Sequence, residues 1–144
     1  MSDSETDSPS IKALIVFREN GETDNLFVPI LCDAIRMAGI DVRCSTKEFW
    51  DSDKHYDIIH FQWPEEVVGW TCNDPDIIRR LEERISFFRS RGTRFVYTRH
   101  NVRPHYANGI ISRAYDIIES QSDIVVHMGR FSRDEFLTKY PDSQ

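Results

Sequence analysis

From Lys12 to Phe17 the chain is a short, continuous apolar run, the pattern of a strand buried on both faces of a parallel sheet. After a polar loop from Arg18 to Asp24, apolar residues return at helical spacing. Leu26, Ile30, Leu31, Ala34, Ile35 and Ala38 fall on one face of a helix expected from Asn25 to Ala38, with Gly39 as its stop. Pro29 sits early in that helix, where it shifts the start or bends the first turn. Ile40 to Ser45 alternates weakly as a second strand, and Asp57 to Gln62 is a third, ended by Trp63-Pro64-Glu65. Asp74-Pro75 reads as an N-cap followed by proline at the first helical position. The helix behind it carries Ile77, Ile78, Leu81, Ile85 and Phe88 on one stripe and ends at Gly92. Thr93 to Thr98 is the fourth strand, Ile110 to Ser120 an amphipathic helix, and Asp123 to Met128 the fifth strand. Ser132 to Glu135 has the form of a capping box, with Phe131 and Phe136 placed as its hydrophobic staple. A last helix is therefore expected from about Arg133 to near Tyr140, before Pro141.

Strands that alternate with helices predict an α/β fold: a Rossmann-like three-layer sandwich, with a mostly parallel sheet of about five strands and helices on both faces. A chain of 144 residues is long enough for one core and too short for two. Residues 11–144 are expected to form that domain, and the acidic, polar residues 1–10 a disordered tail. The tail lacks the basic start and apolar segment of a secretory signal, and no apolar run approaches the roughly 20 residues that span a bilayer. Cys32, Cys44 and Cys72 are widely spaced, without metal-ligand spacing, and read as reduced thiols. The expectation is a soluble, cytoplasmic protein, able to touch the inner face of a membrane. Its net charge of −6 argues against nucleic acid as a partner, because no basic excess exists to displace counterions from phosphates.

The densest chemistry follows the fourth strand, where Thr98 to Tyr106 holds two histidines, two arginines and an asparagine. In an open parallel sheet the loops at the carboxyl ends of the strands share one edge, which is where such folds keep their sites. Those loops contain Gly21 and Glu22; Gln62, Trp63 and Glu65; His100, Asn101, Arg103 and His105; and His127, Gly129 and Arg130. His100 is suited to general base catalysis or to hydrogen bonding a sugar hydroxyl or phosphate, and equally to bonding loop backbone. His127 either faces the same cleft or is a satisfied core group, and His60, inside the third strand, reads as core. Arg103 and His105 flank Pro104 and suit an anionic or hydroxylated ligand, while Arg130 precedes a helix N-terminus that favours anions. Trp63 is placed to stack on a sugar ring or to pack under the following loop, and Glu65 to bind hydroxyls. Several chemistries drop out: the chain has no P-loop, no dinucleotide-binding glycine fingerprint, no serine nucleophile elbow, and no acidic cluster at the ends of the first and third strands.

The runs Asp57-Ile58-Ile59-His60-Phe61-Gln62-Trp63-Pro64-Glu65 and Tyr97-Thr98-Arg99-His100-Asn101-Val102-Arg103-Pro104-His105, with the first strand and its Gly21 loop and the stretch from Asp123 to Phe136, resemble the N-terminal, glycosyltransferase 4-like domain of GT-B fold retaining glycosyltransferases. The likeness covers about the whole chain after the tail. It implies a Rossmann-like acceptor-side domain that works across a cleft from a nucleotide-sugar-binding domain, transferring a sugar to a glycan or glycolipid during polysaccharide or cell-surface glycan synthesis. In that scheme Gly21 lets the first loop approach the donor phosphates and His100 lies beside the reacting sugar, hydrogen bonding it rather than acting as a clear-cut base. No cofactor or metal is implied. The two glutamates of the family's donor domain, separated by seven residues, have no counterpart here. The donor half is expected on a missing C-terminal domain or a partner chain. The alternative is a non-catalytic sugar- or nucleotide-binding domain acting as a partner or regulatory subunit.

Overall fold

The computed structural model describes residues 9–19, 25–104 and 109–143. Five strands, β1 (Lys12–Val16), β2 (Asp41–Cys44), β3 (Ile58–Phe61), β4 (Arg94–Arg99) and β5 (Ile124–His127), form one sheet in the order β2-β1-β3-β4-β5. Every pairing is parallel. Six helices connect them: α1 (Phe27–Met37), α2 (Thr46–Asp51), α3 (Pro64–Val68), α4 (Asp76–Arg89), α5 (Gly109–Gln121) and α6 (Arg130–Lys139). The expected α/β architecture is present. Among the described residues no helix is long and apolar enough to cross a membrane, and all three cysteines are free thiols.

The two faces of the sheet are covered unequally. Leu14, Val16, Ile59, Phe61, Phe95 and Tyr97 point to one face, where Phe49 of α2, Ile78, Leu81, Ile85 and Phe88 of α4, and Ile111, Ala114 and Ile118 of α5 complete the main core. Ala13, Ile15, Phe17 and Val42 point to the other, where the buried residues of α1, Val28 and Cys32, meet them. Ile15, His60, Val96 and Ile124 are in register across four strands. Along that row exposure rises from 0% at Ile15, beneath α1, to 60% at Ile124.

Two elements went unpredicted. Ser45-x-x-Glu48 has capping-box spacing, and the Ser45 hydroxyl accepts the Glu48 amide at 3.0 Å to start α2, whose Phe49 is fully buried. Pro64 occupies the first turn of α3, directly behind β3, and all five residues of that helix are buried. Two expectations are corrected. The stripe expected to face the core in α1 is only partly the buried one: Leu31 and Ile35 pack against the core, but Leu26 and Ile30 are 63% exposed, and Val28 and Cys32, outside the expected stripe, are buried. α1 is apolar on two sides, and period alone cannot say which side meets the sheet. α6 begins at Arg130 behind Gly129, so Ser132 lies inside its first turn and caps nothing there. The expected staple is absent as well, since Phe131 is 76% exposed and Phe136 is buried against the Arg99 side of the sheet.

Candidate functional site

The strand order changes direction between β1 and β3, and in open α/β sheets ligands bind outside the carboxyl ends of the strands at that point. Phe17 and Arg18 follow β1, Gln62 and Trp63 follow β3, His100 follows β4, and Phe27 opens α1. These residues close on one another. The Trp63 ring lies nearly parallel on the His100 imidazole, with centroids 3.9 Å apart and planes 13° apart. Phe27 meets the same imidazole edge-on at 4.9 Å, and Phe17 tilts against Trp63 at 6.0 Å.

Beneath this aromatic bracket sits a polar row. His100 Nε2 is 2.8 Å from Gln62 Oε1, and His60 Nε2 is 2.8 Å from Thr98 Oγ1. Gln62 is fully buried, and its Nε2 has no hydrogen-bond partner among the described residues. Burial lowers the pKa of His100, and burial followed by the neighbouring His100 pushes His60 down to about 4. A neutral imidazole donates from one nitrogen and accepts at the other. With Gln62 Oε1 as acceptor, the His100 proton sits on Nε2 and Nδ1 keeps its lone pair. His100 is thereby a positioned, uncharged acceptor at the carboxyl edge of the sheet.

Other expected site residues are placed differently. Glu65 is fully buried, and its carboxylate accepts the Tyr115 hydroxyl at 3.0 and 2.9 Å, so it ties α3 to α5 instead of presenting oxygens to a cleft. Asn101 also hydrogen bonds Tyr115, whose hydroxyl is held protonated by burial and by the adjacent Glu65 charge. The sequence-level reading of Glu65 fails because α3 turns the chain directly behind Trp63 and rotates this side chain inward. Its neighbour Glu66, 8% exposed, takes the Arg18 guanidinium and the Trp70 indole N–H instead. Trp63 has one ring face covered by His100, which restricts the stacking surface expected of it.

His127 is not in the His100 cluster. Arg99 and His127 are in register, one residue out of phase with His100. The His127 ring turns to Ser132, with Nδ1 3.0 Å from the hydroxyl, and to Phe136. Burial and then the charges of Arg99 and Arg133 lower its pKa. Arg99 itself is 1% exposed; it donates to the Ser132 carbonyl at 2.9 Å and pairs with Glu119 at 3.4 Å and Glu135 at 2.5 Å. Arg130 is exposed at the first residue of α6, and Arg103 is exposed in the loop after β4. Gly21, Glu22 and His105 lie outside the described residues. A groove of about 800 Å³ runs along β5 between Ile124, His127, Arg133, Phe136 and Tyr140. It shares His127 with the predicted set but none of the His100 cluster.

The candidate-site features that sequence reading did not single out are Phe27 and the pairing of Gln62 with His100. Gln62 was legible as a polar residue ending an apolar strand, and its pairing with His100 required the β3–β4 register. Comparison with protein-family models, curated proteins and solved structures finds no match to this chain.

Proposed function

We propose that this chain is the acceptor-side domain of a retaining glycosyltransferase of the GT-B type, which uses a nucleotide-sugar donor and a glycan or glycolipid acceptor. The observation that carries the reading is the His100–Gln62–Trp63 cluster at the strand-order reversal: a neutral imidazole, oriented by a buried amide and bracketed by aromatic rings. A neutral acceptor suits a sugar hydroxyl better than a phosphate, because hydroxyls donate and phosphates do not. An aromatic bracket with few polar groups is also the usual composition of a carbohydrate or small-ligand site. His100 is then a hydrogen-bonding partner of the transferred sugar, and the nucleotide is held by a second domain or partner chain. Transfer occurs at the cytoplasmic face, where nucleotide sugars are made and a glycolipid acceptor would be reached by peripheral contact.

Titrating the chain, together with the domain or partner chain that holds the nucleotide, with UDP-glucose and GDP-mannose while recording ¹H–¹⁵N spectra tests this. Saturable shifts of the Trp63 indole and Gln62 side-chain amide are expected, with loss of both in His100→Ala. Absence of any shift at these groups across the nucleotide sugars would overturn the reading, and robust turnover by the chain alone would overturn its acceptor-side half. In the assembled enzyme His100→Ala should lower kcat about 100-fold, the scale of one lost transition-state hydrogen bond. The alternative, a non-catalytic sugar- or nucleotide-binding partner domain, predicts the same shifts with turnover unchanged by that substitution.

A further inference from the structure

We propose that the free edge of β5 takes a further strand, an extended apolar segment of a partner polypeptide that runs parallel to it in the groove between β5 and α6. The first observation is the edge itself. β5 is last in the sheet and pairs only with β4, so the N–H and C=O groups of alternate residues point outward from it. Natural sheets blunt such edges with charge, and the opposite edge, β2, does so with exposed Asp41 and Arg43. β5 does not. No carboxylate, lysine or arginine lies between Asp123 and Arg130, and Ile124 is 60%, Val126 42% and Met128 57% exposed. His127, the titratable group in that stretch, is held towards its neutral form by burial.

The second observation is the groove beside this edge, with β5 as one wall and Phe136, Leu137 and Tyr140 of α6 as the other. It runs from Ser122 and Asp123 at the amino end of β5 to His127 and Arg133 at the carboxyl end. Its length therefore matches the strand, about 13 Å for a four-residue element. A helix on a parallel sheet has room to rest on two strands, since its diameter of about 10 Å spans two spacings of about 4.8 Å. α6 follows the last strand and has no second strand beneath it. It meets the sheet through Phe136, its buried residue, which lies against Arg99 and His127. Leu137 and Tyr140 are left half-buried beside the groove. A strand seated there covers both and gives α6 its second support.

An extended backbone is the occupant that satisfies both walls. It pairs with the outward groups of β5, and its side chains meet α6 on one face and lie beside Ile124 and Val126 on the other. Such a segment is apolar on both faces, as strands inside parallel sheets are. Arg133, at the carboxyl end of the groove, favours an acidic residue or a free carboxylate there. That sets the incoming strand parallel to β5, the direction of every pairing already in the sheet. A second copy does not fit the groove with its own β5. A twofold axis between two antiparallel β5 strands puts both α6 helices on one face no more than about 5 Å apart, inside the 8–10 Å at which helices pack. The groove is separate from the His100 cluster, so this assignment stands apart from the sugar-binding reading.

The probe is a synthetic peptide with lysines at its N-terminus, a Val-Thr-Val-Ile-Val centre and a C-terminal glutamate, titrated into the ¹⁵N-labelled full chain. Saturable amide shifts are expected in β5 and α6 and none from Asp41 to Cys44, with a dissociation constant below about 1 mM. Two forms of the peptide, N-methylated on alternate residues, separate strand pairing from apolar contact: the form methylated on the amides that face β5 should lose binding and the other should keep it. Ile124→Lys and Leu137→Asp, each checked for an unchanged circular-dichroism spectrum, should weaken binding about tenfold or more. A nitroxide at the peptide C-terminus should broaden Met128, and one at its N-terminus Asp123. No shift in β5 at about 1 mM peptide, equal binding of the two methylated forms, or binding indifferent to both substitutions overturns the proposal. A reversed nitroxide pattern overturns the parallel direction. A dimer of the free chain that Ile124→Lys splits also overturns it, by giving the edge to a second copy.

Discussion

His100 and His60 illustrate how burial sets chemistry one residue at a time. Both imidazoles are pushed towards the neutral form, His60 to about 4, chiefly because a charged ring under α1 and beside the sheet would lose its water. The depressed pKa of His60 means that the unfolded chain binds more protons between pH 6.5 and 4, so its contribution to stability is complete above 6.5 and declines as pH falls towards 4. The decline attributable to His60 amounts to about 3 kcal/mol at most. Urea unfolding at pH 7 and pH 4.5 should show it, and His60→Gln should flatten that part of the slope. For His100 the partner matters more than the pKa. Gln62 fixes the proton on Nε2, so ¹⁵N shifts of the ring should report the Nε2–H tautomer in the native chain and a tautomer mixture in Gln62→Ala. An unchanged tautomer in that variant would remove Gln62 as the orienting group.

At the scale of elements, two Ser-x-x-Glu motifs have opposite fates for a local reason. Ser45 caps α2 because Phe49, one turn in, anchors the helix in the main core. Ser132 is drawn off its capping role because Arg99 takes its carbonyl and His127 its hydroxyl, and α6 starts three residues earlier than expected. Ser45→Ala should therefore cost about 1 kcal/mol of stability in denaturant unfolding, the usual value of a side-chain cap. A loss near zero would mean that Phe49 alone holds α2. The turn at Gly92 marks the end of α4 with φ of +88°, a conformation that glycine adopts without steric penalty, and it returns the chain into β4.

Across the whole molecule, charge buried at one place joins the last helix to the sheet. Arg99 on β4, Glu119 on α5, Glu135 and Lys139 on α6 form a connected group in which Arg99 and Glu119 are almost without solvent contact. Removing one member of a buried ion pair typically costs 3–5 kcal/mol, because the other is left uncompensated. Arg99→Met should destabilise the chain by about 3 kcal/mol, with Lys139 still neutralising part of Glu119, and should raise hydrogen exchange in α6 above that in α5. Equal protection of the two helices in that variant would show that Phe136 packing alone secures α6.

The alternation of short apolar runs with helical stripes was enough to predict the five strands, four of the six helices and the parallel α/β class. Each of those rests on local periodicity and turn chemistry, which need no knowledge of neighbours. The carboxyl-edge location of His100, Gln62 and Trp63 was legible for the same reason, since it depends only on chain direction and strand ends. Side-chain facing was not. That His100 joins Gln62 while His127 turns to Ser132 follows from the β3–β4–β5 register, and that Glu65 points inward follows from how α3 docks on Tyr115 of α5. The orientation of α1 is the clearest case: a helix apolar on two sides has no preferred side in its own sequence, and contact with Ala13, Ile15 and Val42 selects the one that is buried. Period specifies which residues share a face, and packing against distant parts of the chain specifies what that face meets.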